Sequence, residues 1–312
     1  MLNEKCKYFS CEDCSVGNDA FDHPNYKYFC SKTGEKKEVC GIHCARCKKK
    51  STLDRVNGHY REALNYFPEE QIIGVFLQGS QNYGLDYEGS DVDTKLILAP
   101  SFKDICLNKK PVSTTHVRAN DEHTDWKDVR LYMETFRKQN LNFLEILFTD
   151  YYILNPMYEE QWMRLVEHRE EIAHMNPYRA IKSMKGIAME KWHALEHPYP
   201  SKLDILDKWG YDPKQLHHLF RVEEYIERYI NGEPYADCLI SKMPEYLVKV
   251  KRGSYTLGDA RWMGMCALNR TIEMADKFCE TLKDVENEDM RALLEDVSYN
   301  IMKIAVQKEL KV

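Results

Sequence analysis

The chain has 312 residues, 43% of them hydrophobic, and a formal charge of -6, which is room for about two domains and enough apolar material for a sizeable core. That charge argues against a protein that coats nucleic acid through charge alone. No apolar run approaches the roughly 18 residues of a membrane-spanning helix, and the start, MLNEKCKYFS, has no apolar signal-peptide core, so a soluble cytoplasmic protein with no membrane partner is expected.

Residues 1-50 stand apart in composition. They hold seven of the 11 cysteines, Cys6, Cys11, Cys14, Cys30, Cys40, Cys44 and Cys47, and carry 10 basic against 7 acidic residues, closing on RCKKK. A reducing compartment disfavours disulfides. The paired spacings Cys11-x2-Cys14 and Cys44-x2-Cys47 are those of zinc knuckles, each pair forming half of a tetrahedral site. With Cys30 and Cys40 between them, and His23 and His43 at hand, the donors suffice for one or two structural Zn2+; an iron-sulfur cluster is the other metal reading. A segment this short has no core of its own, so metal would supply much of its folding energy. Arg46, Lys48, Lys49 and Lys50 beside it suit either nucleic-acid docking or a stabilising cap. The remaining cysteines, Cys106, Cys238, Cys266 and Cys279, are scattered and read as small buried apolar residues.

Next, STLDRVNGHYREALNYF places Leu53, Val56, Tyr60, Leu64 and Phe67 at helical spacing, with Ser51 or Thr52 as cap. QIIGVFLQG reads as a strand, SQNYGLDYEGS as a turn or short helix, and VDTKLILAP as a second strand stopped by Pro100. A third, long strand is expected in VSTTHVRANDEHTDWKD, then a helix over VRLYMETFRKQN capped by Asp128. LNFLEILFTDYYIL adds apolar material to the same core. From about residue 155 the pattern is nearly all helical, and Met290, Leu293, Leu294, Val297, Ile301 and Ile304 form one core-facing stripe. The expected architecture is α+β: a Cys-rich metal-binding segment at 1-50, a domain with a small mixed sheet at 51-155, and a helical domain at 156-312.

The chemistry concentrates in GVFLQGSQNYGLDYEGSDVDTKLILAP. Asp91 and Asp93 are i and i+2 on a strand, so they share a face. Two carboxylates that close repel unless a cation sits between them, and hard oxygen donors suit Mg2+, which completes its shell with water and substrate phosphate. Gly79 lets the backbone approach a ligand closely, and Ser80 brings a hydroxyl and backbone amides toward phosphate. Lys95, two residues past Asp93, reaches either phosphate or Asp93 itself. Tyr83 either packs on a base or closes the turn. In GYDPKQLHHLFRVEEYI, Asp212 and Pro213 mark a helix start. Lys214, His218 and Arg221 then fall at i, i+4 and i+7 on one face, a stripe suited to phosphate, while His217 points elsewhere. The bland reading of that stripe is a solvated basic face.

An apolar strand, Gly79-Ser80, and then Asp91-x-Asp93 leading a second strand resemble the signature of the nucleotidyltransferase superfamily typified by DNA polymerase beta. Within it the chain resembles a bacterial and phage group of predicted nucleotidyltransferases, some linked to RNA repair. SDVDTK, KQNLNFLEILFT and GYDPKQLHHLFR extend the likeness over roughly residues 65 to 225, and the Cys-rich segment lies outside it. The resemblance implies transfer of a nucleoside monophosphate from an NTP to an acceptor, RNA or other nucleic acid first, with two Mg2+ and release of pyrophosphate. It also implies a third carboxylate on a neighbouring strand. Glu122, Asp125 and Asp128 are the candidates, Asp125 favoured, since Asp128 serves as helix cap. Nucleotide contacts would come from Gly79, Ser80, Lys95, Lys214, His218 and Arg221, and Mg2+ ligands from Asp91, Asp93 and Asp125. Two other readings stay open: nucleotidylation of a protein or small molecule, and a zinc-dependent nucleic-acid adaptor on an inert transferase fold.

Overall fold

The computed structural model describes residues 9–11, 28–30, 36–37, 40–86 and 90–311, the stretches before residue 51 by their backbone alone. Cys14, expected as a zinc ligand, lies outside the described residues. So do the side chains of Cys11, Cys30, Cys40, Cys44 and Cys47, and residues 87–89 of the glycine-rich connection.

Three short strands, β1 (Phe9–Cys11), β2 (Tyr28–Cys30) and β3 (Lys36–Lys37), pair antiparallel in that order. Helix α1 (Cys40–Ala63) follows. The helix expected to start at Ser51 or Thr52 therefore begins about three turns earlier and runs without a break from the cysteines to the sheet.

The main sheet is mixed, with strand order β6-β7-β5-β4-β8. It comprises β4 (Ile72–Gln78), β5 (Asp93–Leu98), β6 (Ser113–Val117), β7 (His123–Asp128) and β8 (Tyr152–Leu154). Only the β5–β7 pair is parallel; the rest are antiparallel. The single long strand expected over residues 112–128 is instead a hairpin. Its reversal passes through Asp121, whose φ of 62 suits an aspartate in the left-handed region. β8 had no counterpart in the sequence reading: three residues are too few to show a period, and pairing with β4 makes them a strand.

The two faces of the sheet have different partners. Val75, Leu77, Leu96 and Leu98 pack under Val56 and Ala63 of α1. On the other face, Ile73, Phe76 and Ile97 join one apolar cluster that continues into the helices. After α2 (Phe102–Cys106), which buries no residue, α3 (Val129–Arg137), α4 (Leu141–Leu144), α5 (Glu159–Glu167), α6 (Arg169–Ala173) and α7 (Pro177–Ala194) feed this cluster, and α8 (Leu203–Trp209) again buries none. Beyond them come α9 (Pro213–Ile230), α10 (Tyr235–Leu239), α11 (Pro244–Lys251), α12 (Leu257–Glu280) and α13 (Glu288–Leu310). Helix α9 is central, packed against α7, α11 and α12. Leu294, Val297 and Ile301 of the expected α13 stripe are fully buried.

Local signals held where they were strong. Asp128 caps α3 by accepting from the Arg130 N–H at 2.9 Å, and Asp212 caps α9 by accepting from the Lys214 N–H at 2.9 Å. Of the scattered cysteines, Cys238 and Cys279 are buried, but Cys266 is half-buried and Cys106 exposed, because α2 is a short helix with no buried residue. Among the described residues, no helix is long and apolar enough to cross a membrane.

Candidate functional site

The ends of β4 and β5, the turn between them and the start of α9 enclose a cavity of about 220 Å³. Gly79, Ser80, Asp91 and Asp93 line it from the sheet side; Lys214, His217, His218 and Arg221 of α9, with Lys251 at the end of α11, line it from the other. The turn is built to present its backbone. Gly79 has φ 86 and ψ -155, a conformation that side chains disfavour, and residues Ser80–Tyr83 form one 3-10 turn behind it. Asn82 pins that turn, donating to Leu77 O at 2.9 Å and accepting from the Thr149 hydroxyl at 2.7 Å.

Asp91 is exposed and lies ahead of β5 rather than on it, so the strand face expected to be shared by Asp91 and Asp93 is not formed, and the two acids meet instead at the cavity. Asp93 opens β5, and its Oδ1 accepts from the His123 N–H at 3.0 Å. Parallel pairing of Thr94 with Thr124 sets His123 level with Asp93 and puts Asp125 one pleat further along. Asp125 is thus beside Lys95, whose Nζ lies 3.2 Å from Asp125 Oδ2, and the Thr115 hydroxyl donates to its other oxygen at 2.7 Å. Neither Asp125 nor Lys95 lines the cavity. Lys95 is 2% exposed and also sits over the Phe143 ring; burial pulls its pKa down, against the pull of Asp125. The pairing of Lys95 with Asp93 considered from sequence is therefore replaced by a pairing with Asp125. Asp128 is held by Arg130 as well as by its cap.

On α9 the electrostatics are basic without the histidines. Burial pulls His218 well below the ordinary histidine range, with His217 and Arg221 adding to the effect, and pulls His217 down to about 4, with Arg221 and Lys251 adding and the Leu247 carbonyl opposing. Both rings are neutral at neutral pH, which leaves Lys214, Arg221 and Lys251 as the cations. The Arg221 guanidinium lies 3.6 Å over the Tyr83 ring, so Tyr83 closes the turn and carries Arg221 on its face. Arg221 Nη2 is buried with no hydrogen-bond partner among the described residues, a donor whose burial costs energy unless an acceptor arrives.

His217 was expected to point away. Its Nδ1 does bond Leu247 O at 2.9 Å, yet the ring also lines the cavity. Two further residues lay beyond the reach of sequence reasoning. Lys251 ends a short helix with no motif around it. Glu145, inside LNFLEILFT, is 6% exposed and takes a hydrogen bond from the Gly79 N–H. Burial pushes its carboxyl up to about 8, against the pull of Arg221 and Gly79.

Glu145 titrates with Arg221 of α9, Tyr235 of α10 and Gly79 of the turn around it. Its folded pKa stands above the ordinary value. The stability that goes with its protonated form is fully present below about 4.5 and is lost as pH rises through about 8. Glu145→Gln is expected to flatten that loss, which urea midpoints at pH 6 and pH 9 would show; parallel curves for both proteins would contradict it.

Among the described residues, no three His, Cys, Asp or Glu side chains converge as a metal cage. Among the described residues the carboxylates that line the cavity are Asp91 and Asp93, a hard oxygen pair of the kind Mg2+ takes when substrate and water supply the other ligands.

No protein-family model matches the chain, and no curated protein does. Among solved structures, the nucleotidyltransferase-like protein from Exiguobacterium sibiricum 255-15 is similar at 10% identity and a TM-score of 0.27, over 72% of this chain and 78% of that one.

Proposed function

We propose that the protein is a nucleotidyltransferase that moves a nucleoside monophosphate from an NTP to an acceptor, nucleic acid and RNA first. One observation carries the reading: a single cavity has Gly79, Ser80 and the Asp91–Asp93 pair on one wall and Lys214, His218 and Arg221 on the other. Carboxylates facing cations across a space of this kind suit a metal-bound triphosphate.

In that reading Arg221 offers its unpartnered Nη2 to a phosphate oxygen, and Lys214 and Lys251 neutralise further phosphate charge. Neutral His218 orients the phosphates by hydrogen bonding. Gly79 and Ser80 bring backbone and hydroxyl against the β- and γ-phosphates. Asp91 and Asp93 would hold two Mg2+ ions, which when bound supply charge neutralisation and a more acidic acceptor hydroxyl. Asp125 would join them only by exchanging Lys95. The acceptor hydroxyl gives its proton to solvent as its oxygen attacks the α-phosphorus, the bond from that phosphorus to the bridging oxygen breaks, and pyrophosphate leaves with that electron pair.

For the N-terminal segment we propose structural Zn2+ on Cys11, Cys14, Cys30, Cys40, Cys44 and Cys47, or a subset of them. The backbone supports this by bringing Cys11 and Cys30 into neighbouring strands and Cys40, Cys44 and Cys47 onto successive turns of α1. Metal analysis after dialysis is expected to find at least about one Zn2+ per chain; a metal-free folded protein would sink this part.

The reaction is tested by incubating the protein with Mg2+, each α-labelled NTP and a panel of RNA, DNA and protein acceptors. Label on a nucleic acid, lost in the Asp91→Asn protein, is the expected result. Label on no acceptor from any NTP would overturn the reading.

A further inference from the structure

We infer that Glu122, held by Arg55 and His59 of α1, is a positioning residue for the Asp91–Asp93 pair, acting from the opposite face of the sheet. The inference rests on the proposed metal-holding role of that pair. Residues 90–92 precede β5, so their backbone groups have no ladder partners. Side chains supply them instead. The Val92 N–H donates to Glu122 Oε1 at 3.2 Å, and Ser90 O accepts from Arg55 Nη1 at 3.2 Å. Asp91 O accepts from Gln81 Nε2 at 3.1 Å, and Gln81 is itself held by the Thr52 hydroxyl of α1 at 2.8 Å.

Glu122 is 1% exposed, and its carboxylate is filled from several directions. His59 Nε2 lies 2.9 Å from Oε2, Arg118 Nη1 donates to the same oxygen at 3.0 Å, and Arg55 Nη2 donates to Oε1. An ionised Glu122 can only accept, so Nε2 carries the proton, and His59 Nδ1 lies 2.8 Å from the Thr94 hydroxyl, which makes the ring a strut between α1, β5 and Glu122. A charged group under a β-strand is costly unless fully bonded. Here the bonding converges on the one residue that separates the two aspartates. Val92 has its side chain in the α1 core, fully buried, so fixing its N–H fixes the two carboxylates on either side. Groups that orient a metal's ligands typically govern metal affinity by 10- to 100-fold.

The test measures binding of Mn2+, by electron paramagnetic resonance, and transfer kinetics in wild type, Glu122→Gln, Arg55→Ala and Asp91→Asn, all well below their melting temperatures. Glu122→Gln is expected to weaken Mn2+ binding about tenfold and to lower kcat about tenfold, with KM for the NTP within about twofold. Arg55→Ala, which removes a side chain 40% exposed, is expected to shift Mn2+ binding about threefold in the same direction, and it decides the matter alone if Glu122→Gln fails to fold. Wild type that binds Mn2+ through Asp91, with both variants binding equally well, would overturn the inference and leave the proposed function standing. Wild type with no Asp91-dependent Mn2+ binding would overturn both.

Discussion

Asp91→Asn is expected to lower nucleotide transfer by at least about 10³-fold, which is roughly 4 kcal/mol of lost transition-state stabilisation. The amide keeps the size of the side chain and removes its charge. Asp91 is exposed and its main-chain oxygen, not its carboxylate, takes the Gln81 bond, so the fold has no stake in the substitution. Asp93→Asn should lose as much. There the amide oxygen still accepts from the His123 N–H, so strand pairing survives while the anion goes. Single-turnover transfer with an α-labelled NTP, beside unchanged melting curves, separates chemistry from folding. A variant that keeps more than about a tenth of wild-type turnover would remove Asp91 from the mechanism.

Glu122→Ala is expected to cost about 3–5 kcal/mol of folding stability. The deletion strands His59, buried beneath the sheet, with Arg118 and the Val92 N–H, and it leaves a space that α1 closes over. Burial alone would raise the pKa of this carboxyl, but hydrogen bonds from His59, Asn120 and Arg55 outweigh it and hold the value down to about 2. A depressed acid stabilises the fold above its ordinary value of 4.5, and that contribution is lost as pH falls through about 2. Part of the gain is screened because Arg55 is partly exposed, so about 2 kcal/mol is the expected share. Wild type should therefore weaken between pH 5 and pH 2.5 more steeply than Glu122→Gln does. Equal slopes in denaturant titrations across that range would refute the assignment.

The caps at Asp128 and Asp212 were legible in the sequence because a cap is satisfied by amides two residues away. The strand pair around Gly79 and Asp91 was legible because apolar runs with a glycine between them admit few other forms. The third strand was misjudged, since ANDE carries neither glycine nor proline and its reversal depends on Asp121 entering the left-handed region. Glu122 was legible only as a carboxylate. Its role depends on His59, 63 residues away, and Arg55, 67 residues away, and no local pattern registers such distances.

The sequence by itself determined that two acids stand one residue apart at the head of a strand, the glycine that frees the turn before them, and the Lys214–His218–Arg221 line on a capped helix. These follow from spacing, turn chemistry and helix periodicity, which are local. Tertiary structure alone decided that the line meets the acids across one cavity, that His217 and Lys251 join it, and that Glu145 takes the Gly79 N–H. It also decided that His123 rather than Asp125 stands level with Asp93. A strand's register is set by its neighbour, and a shift of one residue exchanges every side chain between faces; which carboxylate faces the cavity is therefore a property of pairing that no single strand contains.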